Sequence, residues 1–140
     1  MSTRAPLALA VPAVAVGGAI GACLRWQFSY WFPADASSFP WTTFTINVAG
    51  AFVLALLPSV AWVRRHPVLP PVLGPGLLGG FTTLSTYSEE TRSLLASGHT
   101  GLAGTYAFGT LAAGLLLVAA VDRFIGLDAR TEFRDEEGDR

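Results

Sequence analysis

The chain contains no lysine; its nine basic residues are all Arg and stand against ten acidic ones, for a formal net charge of −1. A near-neutral chain with no basic patch offers no electrostatic footprint for nucleic acid. Charge is scarce altogether, at 14% of 140 residues, against about 25% in an ordinary soluble domain. The single cysteine, Cys23, excludes an internal disulfide and any cysteine-based metal cluster. Its small apolar neighbours make it a packing residue. The missing charges are also unevenly missing: none falls within Leu7–Leu24, Phe39–Val63, Pro67–Ser88 or Thr100–Val121. A hydrocarbon core of about 30 Å takes about 20 residues of helix, so these four runs predict an all-α integral membrane protein with four transmembrane helices. No Asp, Glu, Lys or His lies in the middle of any run, which argues against a proton-coupled transporter. There is no nucleophile–base pair, His/Cys ligand cluster or phosphate loop, so the chain is not read as an enzyme.

What is present is 51% hydrophobic. Arg4 ahead of the first apolar run resembles a signal peptide, but cleavage after Ala10 or Ala13 would leave a hydrophobic stretch intact and three more spans follow. The first span is predicted over Leu7–Tyr30, the second over Trp41–Trp62, the third over Pro70–Ser97 and the fourth over Leu102–Phe124. Residues 1–126 form the membrane domain, and the charged segment 127–140 has no apolar face and reads as a disordered tail. Aromatic residues collect at membrane–water interfaces, so Trp26, Phe28, Tyr30, Trp31 and Phe32 mark where the first span leaves the bilayer.

Three constellations stand out. In the first span Gly17 and Gly21, like Gly18 and Ala22, are four apart, giving a flat face that another backbone can approach closely. In the third, Gly79-Gly80-Phe81-Thr82-Thr83 precedes a run rich in Ser and Thr, which predicts a helix that breaks near its middle and restarts. Irregular backbone at that depth is tolerated only when buried in protein or lining a watery cavity, and its freed carbonyls can coordinate a small cation. Equally, those hydroxyls can simply bond to their own helix. Asn47 is the lone mid-span amide. It either donates to an anion or serves as interhelical glue. In the fourth span Tyr106, Thr110 and Gly114, four apart, share a face that is either a polar track or a packing stripe.

Together these segments resemble the Fluc (CrcB) family of fluoride channels. The carriers are Gly17-Gly18-Ala19-Ile20-Gly21-Ala22 followed by Arg25, then Thr45-Ile46-Asn47-Val48-Ala49-Gly50-Ala51-Phe52 and Gly79-Gly80-Phe81-Thr82-Thr83 with Glu90 after it. Tyr106, Thr110 and Gly114 complete the set, which runs in order over residues 7–124. The resemblance implies an antiparallel dimer with two fluoride pores at the subunit interface. It implies a structural sodium ion held by the Gly79 and Thr82 carbonyls of both subunits. Asn47 would donate to fluoride, Thr110 and Tyr106 would lie along the polar track, and Arg25 would draw anions to the vestibule. The chain departs from the family at two places where phenylalanine edges contact fluoride: here they are Leu84 and Tyr87. Leucine has no positive ring edge; tyrosine keeps one and adds a hydroxyl.

Fluoride is small and strongly hydrated, so its water must be replaced by donors, bound firmly enough to come in and weakly enough to leave. Fluoride that crosses as HF is trapped as the anion inside, so a passive exit confers resistance. The rival readings are a small multidrug-type proton-coupled transporter, which would need a carboxylate in the first span, and a non-conducting structural subunit. With four spans, both termini share a side with Arg4, Arg64, Arg65, Arg123 and Arg130, while the other side carries Arg25 and Arg92. That bias places both termini in the cytoplasm. It also sets an inverted paralogue beside an antiparallel homodimer as the expected partner, since a homodimer requires insertion both ways.

Overall fold

The computed structural model describes the backbone of residues 6–138 except Ala36, and the side chains among them as far as Ile125. The described residues are helical or connecting, with no strand. Helix α1 covers Leu7–Trp31 and α2 covers Trp41–Leu56, the latter extended by a 3₁₀ turn at Leu57–Ser59. The short α3 is Ala61–Arg65 and α4 is Leu69–Pro71. A π-helical turn over Val72–Leu78 leads into α5, Gly79–Phe81, which is followed by α6, Leu84–Ala96, and α7, Thr100–Gly138.

Among the described residues three helical stretches are long and apolar enough to cross a membrane: Leu7–Trp31, Trp41–Ser59 and Thr100–Ile125, with mean hydropathies of 2.2, 1.5 and 1.8. The second ends before the expected Trp62. Pro58 has no N–H to continue the ladder, and Val60 is extended at φ −79° and ψ 104°. The freed Pro58 carbonyl accepts from Arg64 Nη1 at 2.6 Å instead. The expected charged tail falls on residues whose side chains lie outside the described set.

The third expected span is two helices. Pro75, inside its first half, lacks an N–H and crowds the carbonyl four residues back; widening to π geometry relieves this, and Gly79 N–H accordingly reaches Gly74 O, five residues back. The helix ends at Phe81. Thr82 (φ −74°, ψ 158°) and Thr83 (φ −147°, ψ 117°) are extended, and α6 begins at Leu84. Thr83 caps it, its hydroxyl oxygen accepting from Thr86 N–H at 3.1 Å. At the far end Gly98, at φ 82°, closes a Schellman motif: His99 N–H bonds to Leu94 O and Gly98 N–H to Leu95 O.

The flat face of α1 is used inside the chain. A Cβ on Gly17 would lie 2.2 Å from Val72 O, one on Gly21 2.0 Å from Leu77 O, and one on Gly80 2.3 Å from Gly18 O, all backbone atoms. Backbone thus lies on backbone between α1 and the π turn with α5. At one end of the bundle Leu94, Ala103 and Tyr106 form a small core, with Phe39, Phe44, Tyr87 and Leu102 packed around it. Elsewhere large apolar side chains such as Leu7, Phe108, Leu115 and Leu116 face outward, as a lipid-facing surface requires.

Gly21→Ala is expected to cost about 1–3 kcal/mol or more, because rigid backbone must move. Gly104→Ala, where an added Cβ meets nothing within 4 Å, should be neutral or slightly stabilising. Thermal unfolding in detergent checks this; equal midpoints for the two variants would contradict the packing.

Candidate functional site

Asn47 sits on the face of α2 that also carries Thr43, Ile46 and Gly50, the four recurring at helical spacing. Its side chain meets the broken helix at two points. Oδ1 accepts from Thr83 N–H at 2.8 Å, and Nδ2 donates to Thr83 O at 3.1 Å. The donor on one side and the acceptor on the other fix the amide's orientation, since a flipped amide would face like against like. Among the described residues nothing accepts the second Nδ2 hydrogen. One turn along, Gly50 makes room for the break: a Cβ there would lie 2.3 Å from the Thr82 methyl.

The backbone at the break is divided among several claimants. Leu78 O accepts both Thr82 N–H at 2.9 Å and Thr82 Oγ1 at 2.8 Å. Gly80 O accepts from Arg25 Nε at 3.2 Å. Thr82 N–H and Thr83 N–H are thus both directed away from Gly79 O, and among the described residues no hydrogen bond is seen to reach Thr82 O. Beside the break runs an apolar groove of about 700 Å³ between α2, the π turn, α6 and α7. Asn47, Gly79, Thr82, Leu84, Tyr87 and Thr110 line it, so six of the residues singled out from the sequence meet in one place.

Their states differ. Leu84, first residue of α6, is 74% exposed. Tyr87 lies almost one turn further on, and its hydroxyl donates to Ala107 O on α7 at 2.8 Å, which holds the ring to that helix. Thr110 bonds back to its own helix, donating to Tyr106 O at 2.7 Å. Tyr106 and Arg25 do not line the groove. Tyr106 is fully buried, and its hydroxyl donates to Glu90 Oε2 at 2.6 Å. Thr43 Oγ1 donates to the other oxygen, Glu90 Oε1, at 2.9 Å. A carboxylate with a hydroxyl on each oxygen therefore joins α2, α6 and α7. Sequence reasoning did not single out Thr43; its place four residues before Asn47 was the available signal.

A smaller cavity of about 280 Å³ lies between the connection before α2 and α6, lined in part by Asp35, Glu89 and Glu90. The backbone N–H and then the hydroxyl of Ser37 hold the Asp35 carboxyl below its ordinary range. Glu89 pairs with Arg92 on the surface, Nε to Oε2 at 2.8 Å.

Three helices fit to cross a bilayer, a further apolar segment broken part-way, and a groove beside that break define a multi-pass helical membrane protein. The family model described as "CrcB-like protein, Camphor Resistance (CrcB)" matches residues 12–121, and the chain belongs to this family. It is 48% identical over 106 residues to the fluoride-specific ion channel FluC 2 of Nocardia farcinica (strain IFM 10152), covering 74% of this chain and 75% of that protein. Two proteins of Streptomyces avermitilis are also similar. Its fluoride-specific ion channel FluC 3 is 42% identical over 111 residues, covering 74% of this chain and 52% of that protein. Its FluC 2 is 40% identical over 104 residues, covering 72% and 65%.

Tyr106→Phe keeps the buried ring and removes a donor to a carboxylate, an expected loss of about 1.5–3 kcal/mol; Tyr87→Phe removes a bond to a neutral carbonyl and should cost about 0.5–1.5 kcal/mol. Comparing their unfolding midpoints in detergent checks the ranking, and a Tyr106→Phe variant as stable as wild type would contradict the Glu90 junction.

Proposed function

We propose that this chain is a subunit of a fluoride-selective channel that lets cytoplasmic fluoride leave passively. The observation that carries the reading is the helix break in an apolar groove with Asn47 bonded across it, in a chain whose relatives are fluoride-specific ion channels. Beside the break stand features that a dehydrated small anion needs: the remaining Asn47 N–H and the start of α6, where the helix dipole favours negative charge. The walls are apolar and hold no fixed lysine, so binding stays weak enough for exit.

In this reading the two halves, α4–α5 and α6, complete a fourth membrane crossing, and the subunits pair antiparallel across the groove. A sodium ion at the dimer centre would be held by the carbonyls of Gly79 and Thr82 from each subunit. The chemistry fits: both are hard oxygen donors, Thr82 N–H and Thr83 N–H are directed away from Gly79 O, and Gly79 has open space where a Cβ would meet only Gly74 O at 3.9 Å. Bound there, the ion would supply fixed positive charge between the two pores. Arg25, by bonding to Gly80 O, removes one competing acceptor. Thr110, which lines the groove, would lie on the polar track, and Tyr106, buried behind it, would support that face through its bond to Glu90.

The partner is a second copy or an inverted paralogue. Leu84 offers no ring edge, and the Tyr87 hydroxyl is tied to α7, so this chain brings fewer aromatic contacts than its family's pattern. With the arginine bias that places both termini in the cytoplasm, this favours the paralogue. The small multidrug-type reading lacks its carboxylate, since α1 carries no Asp or Glu.

Efflux from liposomes tests the function. Vesicles carrying this chain, alone or with a neighbouring paralogue, should release fluoride and retain chloride. Flux from the chain alone would rule out an obligate heterodimer. No fluoride release in either arrangement, or equal release of chloride, would contradict the channel.

A further inference from the structure

In an unbroken α-helix the N–H of residue 83 would bond to the carbonyl of residue 79. Here Thr83 N–H goes to Asn47 Oδ1 at 2.8 Å, and Asn47 Nδ2 takes Thr83 O at 3.1 Å. Thr82 N–H stays with Leu78 O at 2.9 Å, so neither of the next two amides reaches Gly79 O. The carbonyl that the helix would have consumed is left free by one side chain from a different helix. The glycines do not explain the opening, because Gly79 itself is helical at φ −64° and ψ −35°.

We propose that Asn47 is a positioning residue for a cation at the helix break: its amide occupies the Thr83 N–H and thereby keeps the Gly79 carbonyl available as a ligand. This rests on the sodium reading given above, and it gives Asn47 a second task besides contact with the anion. The same amide faces the groove with its remaining N–H. One side chain therefore couples the two sites: losing it closes the carbonyl site and removes an anion donor together.

Two substitutions separate these tasks. Asn47→Asp keeps an acceptor for Thr83 N–H, so Gly79 O stays free. Asn47→Leu has similar shape but no acceptor, and Thr83 N–H falls back to Gly79 O. The test is protection of the full-length protein against thermal unfolding by sodium, in detergent and in fluoride-free buffer, with a bulky organic cation replacing sodium. The sodium midpoint is expected to be kept in Asn47→Asp and raised about 10–100-fold in Asn47→Leu, the usual loss when an outer-shell partner of a metal ligand is removed. An unchanged midpoint in Asn47→Leu would overturn the proposal. A second measurement needs no variant and reads the bond directly. In labelled wild type, nuclear magnetic resonance should show coupling across the hydrogen bond from Thr83 nitrogen to the Asn47 side-chain carbonyl carbon. Coupling to the Gly79 carbonyl carbon instead would overturn the positioning role. Wild type indifferent to sodium, with the Asn47 coupling present, would discard the cation and with it the proposal, while leaving the fluoride reading standing.

Discussion

The two bonds between Asn47 and Thr83 are the interaction on which the rest of the site depends. An extended pair of residues in the middle of an apolar segment exposes backbone polar groups, and in hydrocarbon each unsatisfied group costs several kcal/mol. Asn47 satisfies an N–H and adds a donor to the carbonyl of the same residue, and the Thr83 hydroxyl then caps the new helix at Thr86. The carbonyls of Gly79 and Thr82 are the residue of that exchange, left beside the groove as acceptors. A single amide thus turns a structural defect into a polar site while keeping most of the defect paired.

The surrounding packing exists to hold that opened backbone close to its claimants. Gly17, Gly21 and Gly80 let α1 lie directly against the π turn and α5, which brings Arg25 within reach of Gly80 O. On the other side Gly50 admits the Thr82 methyl, and α7 supplies the Ala107 carbonyl that fixes Tyr87. At the outer end Glu90 binds Thr43 and Tyr106, so α2, α6 and α7 are joined by part-buried polar contacts as well as by apolar ones. Such contacts specify register where lipid provides no hydrophobic drive between helices.

Much of this was legible in the residues. The charge-free runs gave α1, α2 and the apolar part of α7, and the Ser- and Thr-rich run after Gly79-Gly80 placed the break within a residue or two. The cause of the break was not legible. Gly79 and Gly80 are themselves helical and Gly80 serves the contact with α1; the opening occurs at two threonines, the second held by a residue 36 positions away. A pairing at that separation has no local periodicity to reveal it. The second span was expected to reach Trp62, but α2 and its 3₁₀ turn end at Ser59, beside Pro58, whose carbonyl accepts from Arg64. Thr43 and Glu90 became a junction only once Tyr106 was brought between them.

In the proposed channel the polar groups at the break, rather than a fixed basic side chain, would recognise a small dehydrated anion. Asn47 is the residue where that claim is most exposed, because a carboxylate in its place can keep the Thr83 N–H occupied while presenting negative charge or a lone acceptor to the groove. The direct measurement is fluoride efflux from liposomes containing Asn47→Asp, reconstituted as folded protein with the same partner as wild type. Fluoride release is expected to be abolished; release at the wild-type rate would remove Asn47 from the pathway and contradict its proposed role.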